Sequence, residues 1–485
     1  MAISRISISR RWLALAVVCL GVVMVVLDAT IVNVALPSIR ADLGFTEATL
    51  AWVFNAYLLT CGGFLLLGGR LGDLYGHRRV FMICVVLFTG ASAACGFAGS
   101  QLPLVVARAV QGIGGAIVDA VALALLMHLF TEERERAKAM GVYSFVCAGG
   151  GSIGVLLGGV LTDAYDWHWI FLVNVPIGAV VLGLCVALLP KADGERRRIP
   201  LDVAGAITVT AALMLAVYAI VGGNEAGWTS PRTIALLGTA LALLALFVAI
   251  EARVPSPLMP LRLFRSTALN AASVIGVLWS AAMFAWFFLS ALYLQRVLGY
   301  TAMQVGLAFL PSNLIMAACS LGISARIVLR FGIRWPLVAG LLCATIGLAL
   351  FAHAPLDGGF FADVLPGMLL LGVGAGVAFN PLLLAAMRDV AESESGLASG
   401  IVNTAFMMGG ALGLAILASL AAAHSGTSGA SDVAALNDGY RLAFTAGAVC
   451  AFVAAAVAAV LVPAQAAAEA SSRVASASTN SPGTR

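Results

Sequence analysis

The sequence predicts an all-α membrane protein of fourteen transmembrane helices, two six-helix bundles with two further helices inserted between them. Three observations lead there. Of 485 residues, 61% are hydrophobic and only 10% charged, with a mean hydropathy of +1.03; a soluble domain carries about 25% charged residues. The apolar residues fall into fourteen runs, and a membrane helix needs roughly 20 such residues. The basic residues also collect in alternate gaps between those runs.

In chain order the runs cover about 12–37, 50–69, 80–99, 102–128, 138–162, 169–190, 202–222, 232–250, 268–294, 304–325, 335–353, 364–385, 400–423 and 440–462. None shows the alternation of about ten residues that marks a membrane β-strand. The first run follows Arg5, Arg10 and Arg11 but is long and lacks an A-x-A cleavage site, so it reads as a retained helix rather than a signal peptide. With the N-terminus inside, 22 of the 27 Lys and Arg fall on the inner side, four fall outside, and Arg108 lies within a run. That bias sets both termini in the cytoplasm. After run 2 comes Arg70-x-x-Asp73-x-x-Gly76-x-Arg78, and after run 10 comes Arg326-x-x-Leu329-x-x-Gly332-x-Arg334. The matching offsets predict a repeat: a half over 1–190, inserted helices and linkers over 191–265, a second half over 266–463, and a disordered tail over 464–485. Repeats of this kind carry substrate between the halves near the membrane midplane.

Composition excludes several function classes. No basic stripe interleaves with aromatics, which argues against nucleic acid. The nine cysteines all lie in apolar runs and form no C-x-x-C pair, so they read as small hydrophobes. The five histidines are scattered, no metal-ligand spacing occurs, and no Gly-x-x-x-x-Gly-Lys-Ser/Thr phosphate loop is present. An enzyme is therefore a poor reading, and ATP is not the energy source.

Chemistry is concentrated in a few stretches. Leu27–Pro37 closes the first run and sets Asp28 and Asn33 where hydrocarbon is expected. An acid there is costly, and its usual reason is ion or proton handling. Desolvation favours the neutral form of a carboxylate, so such a group can load a proton on one side and release it on the other. Run 4 carries Arg108, Gln111 and Asp119. Arg108 either faces a cavity or partner or snorkels to an interface. Asp119 lies eleven residues on, on the same helix face and roughly 16 Å along the axis, and serves either proton and substrate or a structural hydrogen bond. Gly69, Arg70, Gly72, Asp73, Gly76, Arg78 and Arg79 form a tight turn between runs 2 and 3. Its glycines permit close approach, and Asp73 can pair with an arginine or a helix N-terminus. Gly150, Gly154, Gly158 and Gly159 make a smooth stripe suited to close helix packing. Trp52, Tyr57, Phe284 and Trp286 are candidates for a pocket wall, with lipid-facing or core positions as the alternative.

These stretches, in order and at matching helices over nearly the whole chain, resemble the major facilitator superfamily, and within it the fourteen-helix drug:proton antiporters. The turn at Gly69–Arg79 resembles the helix 2–3 signature, and Arg108-x-x-Gln111-Gly the helix 4 signature. Trp167–Gly178, Leu27–Pro37, Pro257–Phe264 and Gly396–Asn403 running on to Gly413 resemble further signatures of that branch. The chain departs from relatives at Val155, where the antiport signature has proline, at Ala120, where proline is frequent, and at Phe406-Met407, where Arg-Gln is common. The resemblance implies a major-facilitator-type fold and proton-driven export of drugs or antibiotics across a bacterial cell membrane. No cofactor beyond the proton-motive force is implied. The implied partners are a small hydrophobic or cationic drug, protons and the lipid bilayer, with a monomeric carrier. Asp28, Asp119 and Arg108 are expected to handle the proton, and the turn to act as a conformational latch. Asn33, Trp52, Tyr57, Gln111, Phe284, Trp286 and Asn403 are expected along the substrate path. A proton symporter importing a small solute is the alternative, as is a non-transporting receptor on the same fold.

Overall fold

The computed structural model describes residues 8–130, 132–189, 202–255, 257–388, 390, 395–426 and 433–463. The segments 191–201 and 464–485, expected to be a linker and a tail, lie outside them. Helices dominate because apolar backbone in a membrane must satisfy its own hydrogen bonds. The first half comprises α1 (Ile8–Leu43), α2 (Trp52–Tyr75), α3 (His77–Gly96), α4 (Gln101–Leu129), α5 (Glu133–Ala164) and α6 (Asn174–Leu188). Next come α7 (Val203–Ala226) and α8 (Pro231–Glu251). The remainder comprises α9 (Thr267–Arg296), α10 (Ala302–Ala318, continued through a π turn by Ser324–Phe331), α11 (Arg334–Phe351), α12 (Leu365–Met387), α13 (Ser395–Gly426) and α14 (Val433–Leu461).

Among the described residues, twelve helices are long and apolar enough to cross a membrane, against the fourteen expected. The two that fall short are α5 and α10, which contain the shorter apolar stretches Ile153–Ala164 and Ala302–Ala318. In α10 the π turn Cys319–Ile323 interrupts the apolar stretch, and in α5 several side chains before Ile153 lie outside the described residues.

The packing repeats. α1 packs on α5, α2 on α4, α3 on α4, and α6 on α1 and α3. Eight helices further along, α9 packs on α13, α10 on α12, α11 on α12, and α14 on α9 and α11. The two sets meet along two seams, α5 with α10 and α2 with α13. Capping fixes where the inserted pair begins: Asp202 accepts from Gly205 N at 2.7 Å ahead of α7, and Ser230 accepts from Thr233 N ahead of Pro231 in α8. α7 lies against both α2 and α13, whereas α8 packs on α7 through a narrow stripe at Thr233, Ala240 and Phe247.

The two matching turns are built alike. Gly76 and Gly332 have φ of 89° and 75°, a region that suits glycine. Each donates its N–H four residues back, to Gly72 O and Val328 O. The sequence match at Gly76/Gly332 therefore marks two turns with the same positive-φ glycine and the same N–H bond four residues back.

Candidate functional site

Asp28 is fully buried at the middle of the first half, where five structural elements converge. Arg108 Nη1 of α4 donates to its Oδ2 at 2.5 Å. Gln111 Nε2, one turn on, donates to Oδ1 at 2.7 Å, and Asn174 Nδ2 at the start of α6 donates to the same oxygen at 3.0 Å. Arg108 is held in turn by Val53 O of α2 at 3.0 Å and by Gln111 Oε1 at 2.8 Å. Its guanidinium lies 4.4 Å from the centre of the Tyr57 ring and 5.6 Å from that of Phe171, a geometry that favours a desolvated cation. Asn174 also donates to Ser92 Oγ at 2.9 Å, and that hydroxyl to Phe171 O at 2.9 Å.

This arrangement answers the cost of an acid in the membrane interior. The charges cancel in pairs, and nearly every lone pair and proton is used. Arg108 does not snorkel: its side chain is fully buried, against the interface reading. Each described group bonded to Asp28 is a donor, so the site is built for the carboxylate. A protonated Asp28 has to offer a proton where every neighbour already offers one. Protonating Asp28 would therefore disturb this network, and most of all the charged bond from Arg108. Arg108 Nη2 and the Tyr57 hydroxyl are buried without hydrogen-bond partners, which leaves spare donors for a second arrangement.

Asp119 stands apart. The side-chain bonds of Arg108 go to Asp28, Gln111 and Val53 O, and Asp119 is half-buried with Oδ1 lacking a hydrogen-bond partner. The shared helix face of Arg108 and Asp119 thus does not make one cluster. Asn174 and Ser92 were missed by sequence reasoning; the available signal was an asparagine opening an apolar run just before Val-Pro.

The glycine stripe supports this site directly. A Cβ on Gly154 would lie 2.8 Å from Leu27 O, and one on Gly158 would lie 2.7 Å from Ile31 O. Gly150 faces Val26, and Gly159 faces Ala302 and Met303 at the start of α10. α5 thus rests its smooth face on the α1 backbone on either side of Asp28, and its far end on the other half.

The turn between α2 and α3 makes three long-range ties. Arg70 Nη2 donates to Pro257 O at 2.5 Å, and Arg78 Nη2 to Val186 O at 3.2 Å. The His77 ring lies 4.6 Å from that of His128, at the end of α4. A Cβ on Gly72 would meet His77 at 2.7 Å, Gly69 faces open space, and Arg79 is exposed. The Asp73 side chain lies outside the described residues.

The expected path residues do not gather in one place. Tyr57 and Gln111 belong to the Asp28 network. Phe284 joins an aromatic wall that crosses the α2–α13 seam: Phe54 of α2 is 6.0 Å from Phe284, which is 5.7 Å from Phe406, itself packed on Trp279 and Phe379. Asn33 is buried and donates to Thr30 O at 3.1 Å, and Asn403 is half-buried on α13. Trp286 is elsewhere, packed on Phe309 and Phe351 inside the second half. Trp52 lines a cavity of about 380 Å³ with α7 and α8, away from the wall. Both are large apolar side chains, and position in a run does not tell which side of a helix they take.

Two repeated bundles meeting at an aromatic wall, one holding a neutralised charge network, define a multi-pass membrane carrier. The chain belongs to the Major Facilitator Superfamily, whose family model matches residues 18–414. It is a transporter and not an enzyme. A puromycin resistance protein of Streptomyces alboniger is 38% identical over 443 residues, covering 90% of this chain and 88% of that protein. A cephamycin export protein of Amycolatopsis lactamdurans is 39% identical, covering 86% of each chain. The multidrug resistance protein Stp of Mycobacterium tuberculosis is 39% identical, covering 83% of this chain and 74% of its own. Among solved structures, a bacterial homologue of the lysosomal transporter Spinster superposes with a TM-score of 0.65 at 16% identity, covering 94% of this chain and 98% of that one. The xylose transporter XylE of E. coli gives 0.63 at 15%, covering 96% and 99%.

Proposed function

We propose that this chain exports drugs or antibiotics from a bacterial cell by alternating access, driven by inward movement of protons. The observation that carries the reading is the Asp28–Arg108–Gln111–Asn174 network, a titratable acid on α1 held by donors from α4 and α6. Deprotonated Asp28 pins Arg108 and fastens α1 to α4 and α6. A proton arriving on Asp28 removes the anion that holds Arg108, frees α1, and biases the carrier toward its other state. Proton and drug then act through their different affinities for the two states. The printed activities of the relatives support a small-molecule antibiotic as cargo. The wall formed by Phe54, Phe284 and Phe406 supports an apolar one, since Phe406-Met407 replaces the polar pair.

The topology belongs to this reading. Fourteen spans, with α5 and α10 crossing, set both termini in the cytoplasm and the α2–α3 turn on the inner face. Residues 1–190 and 266–463 are the moving halves, 191–265 holds the inserted pair, and the carrier works as a monomer.

The test is drug accumulation in energised everted vesicles, with an uncoupler, on wild type and on Asp28→Asn. Export abolished by the uncoupler, and lost in a normally expressed Asp28→Asn, is the expected result. Transport by Asp28→Asn at the wild-type rate, or transport that follows sodium and ignores the proton gradient, overturns the proposal. Solute moving in the same direction as the proton identifies a symporter instead.

A further inference from the structure

Asp202 and Glu251 stand at the two ends of the inserted pair, one capping α7 and the other closing α8, and they are only 2% and 3% exposed. Each has one satisfied oxygen: Asp202 Oδ1 accepts from Gly205 N at 2.7 Å, and Glu251 Oε2 accepts from Met259 N at 3.0 Å. The remaining oxygens, Asp202 Oδ2 and Glu251 Oε1, are buried without a hydrogen-bond partner. The two carboxyl groups stand at the same end of the α7–α8 hairpin: Asp202 caps the first turn of α7, where Ala206 packs with Leu258, and Glu251 holds the adjoining Met259 N. Ionised carboxylates only accept, so two of them in contact and out of water repel with nothing between. One proton shared by the facing oxygens satisfies both.

We propose that Asp202 and Glu251 form a second proton-binding site, separate from Asp28, and that the proton held there fastens the α8–α9 connector to the α2–α3 turn. The connector is gripped at three successive residues. Pro257 O accepts from Arg70 at 2.5 Å, Leu258 is buried against Leu67 of α2 and Ala206 of α7, and Met259 N donates to Glu251. The charged groups on the surrounding elements are Arg70 on α2, Asp202 before α7 and Glu251 on α8; Arg253, Arg262 and Arg265 of the connector are exposed. With one proton bound, the acids attract and the connector holds Arg70. When pH on this face rises and the proton leaves, the acids repel, Glu251 withdraws from Met259, and Arg70 is released.

The test is hydrogen–deuterium exchange of the full-length carrier in nanodiscs across a pH series, corrected for intrinsic exchange, read on peptides covering 252–266. Wild-type protection is lost as pH rises. Glu251→Gln keeps protection at every pH, because its amide N–H donates to Asp202 Oδ2 in place of the proton while its carbonyl accepts from Met259 N. Glu251→Ala is unprotected throughout; if it fails to fold, the Gln variant alone decides. Infrared spectra of Asp28→Asn combined with Asp119→Asn retain a titrating carboxylic-acid band that the additional Glu251→Gln change removes. Protection independent of pH in the wild type, or a Gln variant that titrates like the wild type, overturns the proposal. Neither readout involves transport, so failure here and failure of the efflux reading are distinguishable.

Discussion

At the scale of single residues, the charge pair determines what can be changed. Removing one member strands the other in a site with no water, a loss of about 3–5 kcal/mol for a buried pair. Removing both strands neither. Arg108→Met is therefore expected to lower thermal stability in detergent strongly, and Asp28→Asn combined with Arg108→Met to recover part of the loss; additive losses count against direct coupling. At the aromatic wall, Phe406→Ala opens space against Trp279, Phe284 and Phe379. A shift in which drugs a susceptibility panel registers, at unchanged expression, is the expected result. An unchanged panel places the cargo elsewhere. The sequence made Asp28 and Arg108 conspicuous, because charge is rare in apolar runs. It could not pair them, because 80 residues separate them and only the fold decides which helices touch. Asp202 and Glu251 escaped notice for the opposite reason: both lie at run ends, where an acid looks ordinary.

At the scale of the element, α5 shows what the glycine stripe is for. Gly154 has the α1 backbone within van der Waals distance, whereas a Cβ on Gly151 would find nothing closer than Thr30 Cγ2 at 3.7 Å. Gly154→Ala is expected to cost about 1–3 kcal/mol through overpacking and to slow transport, while Gly151→Ala is tolerated. Thermal melts and vesicle uptake on the two variants check the contrast; equal behaviour rejects the packing account. Small residues every four positions were legible as a packing face. Their target was not, since the stripe reports smoothness and not the neighbour. The π turn in α10 left no sequence signal either, and it divides what the sequence presents as one apolar run.

At the scale of the whole molecule, the repeat seen in two short turns extends to the principal helix pairings within each half. Alternating access requires the halves to rock about their seams. On the face opposite the α2–α3 turn, α5 and α10 are joined where Met303 N donates to Asp163 Oδ2 at 2.9 Å. A disulfide between Asp163→Cys and Met303→Cys is expected to form readily, to stop transport, and to release it on reduction. The eight described native cysteines are buried or half-buried and compete little. Transport that continues with the cross-link in place excludes opening at this point.

The inserted helices have a consequence for how solutes arrive. A twofold repeat alone offers the bilayer two equivalent side doors, one at each seam. Here α7 lies across the α2–α13 seam, and among the described residues no inserted helix makes comparable contact with α5 or α10. The two seams of a symmetric scaffold therefore present unlike faces to the surrounding lipid, one shuttered and one bare.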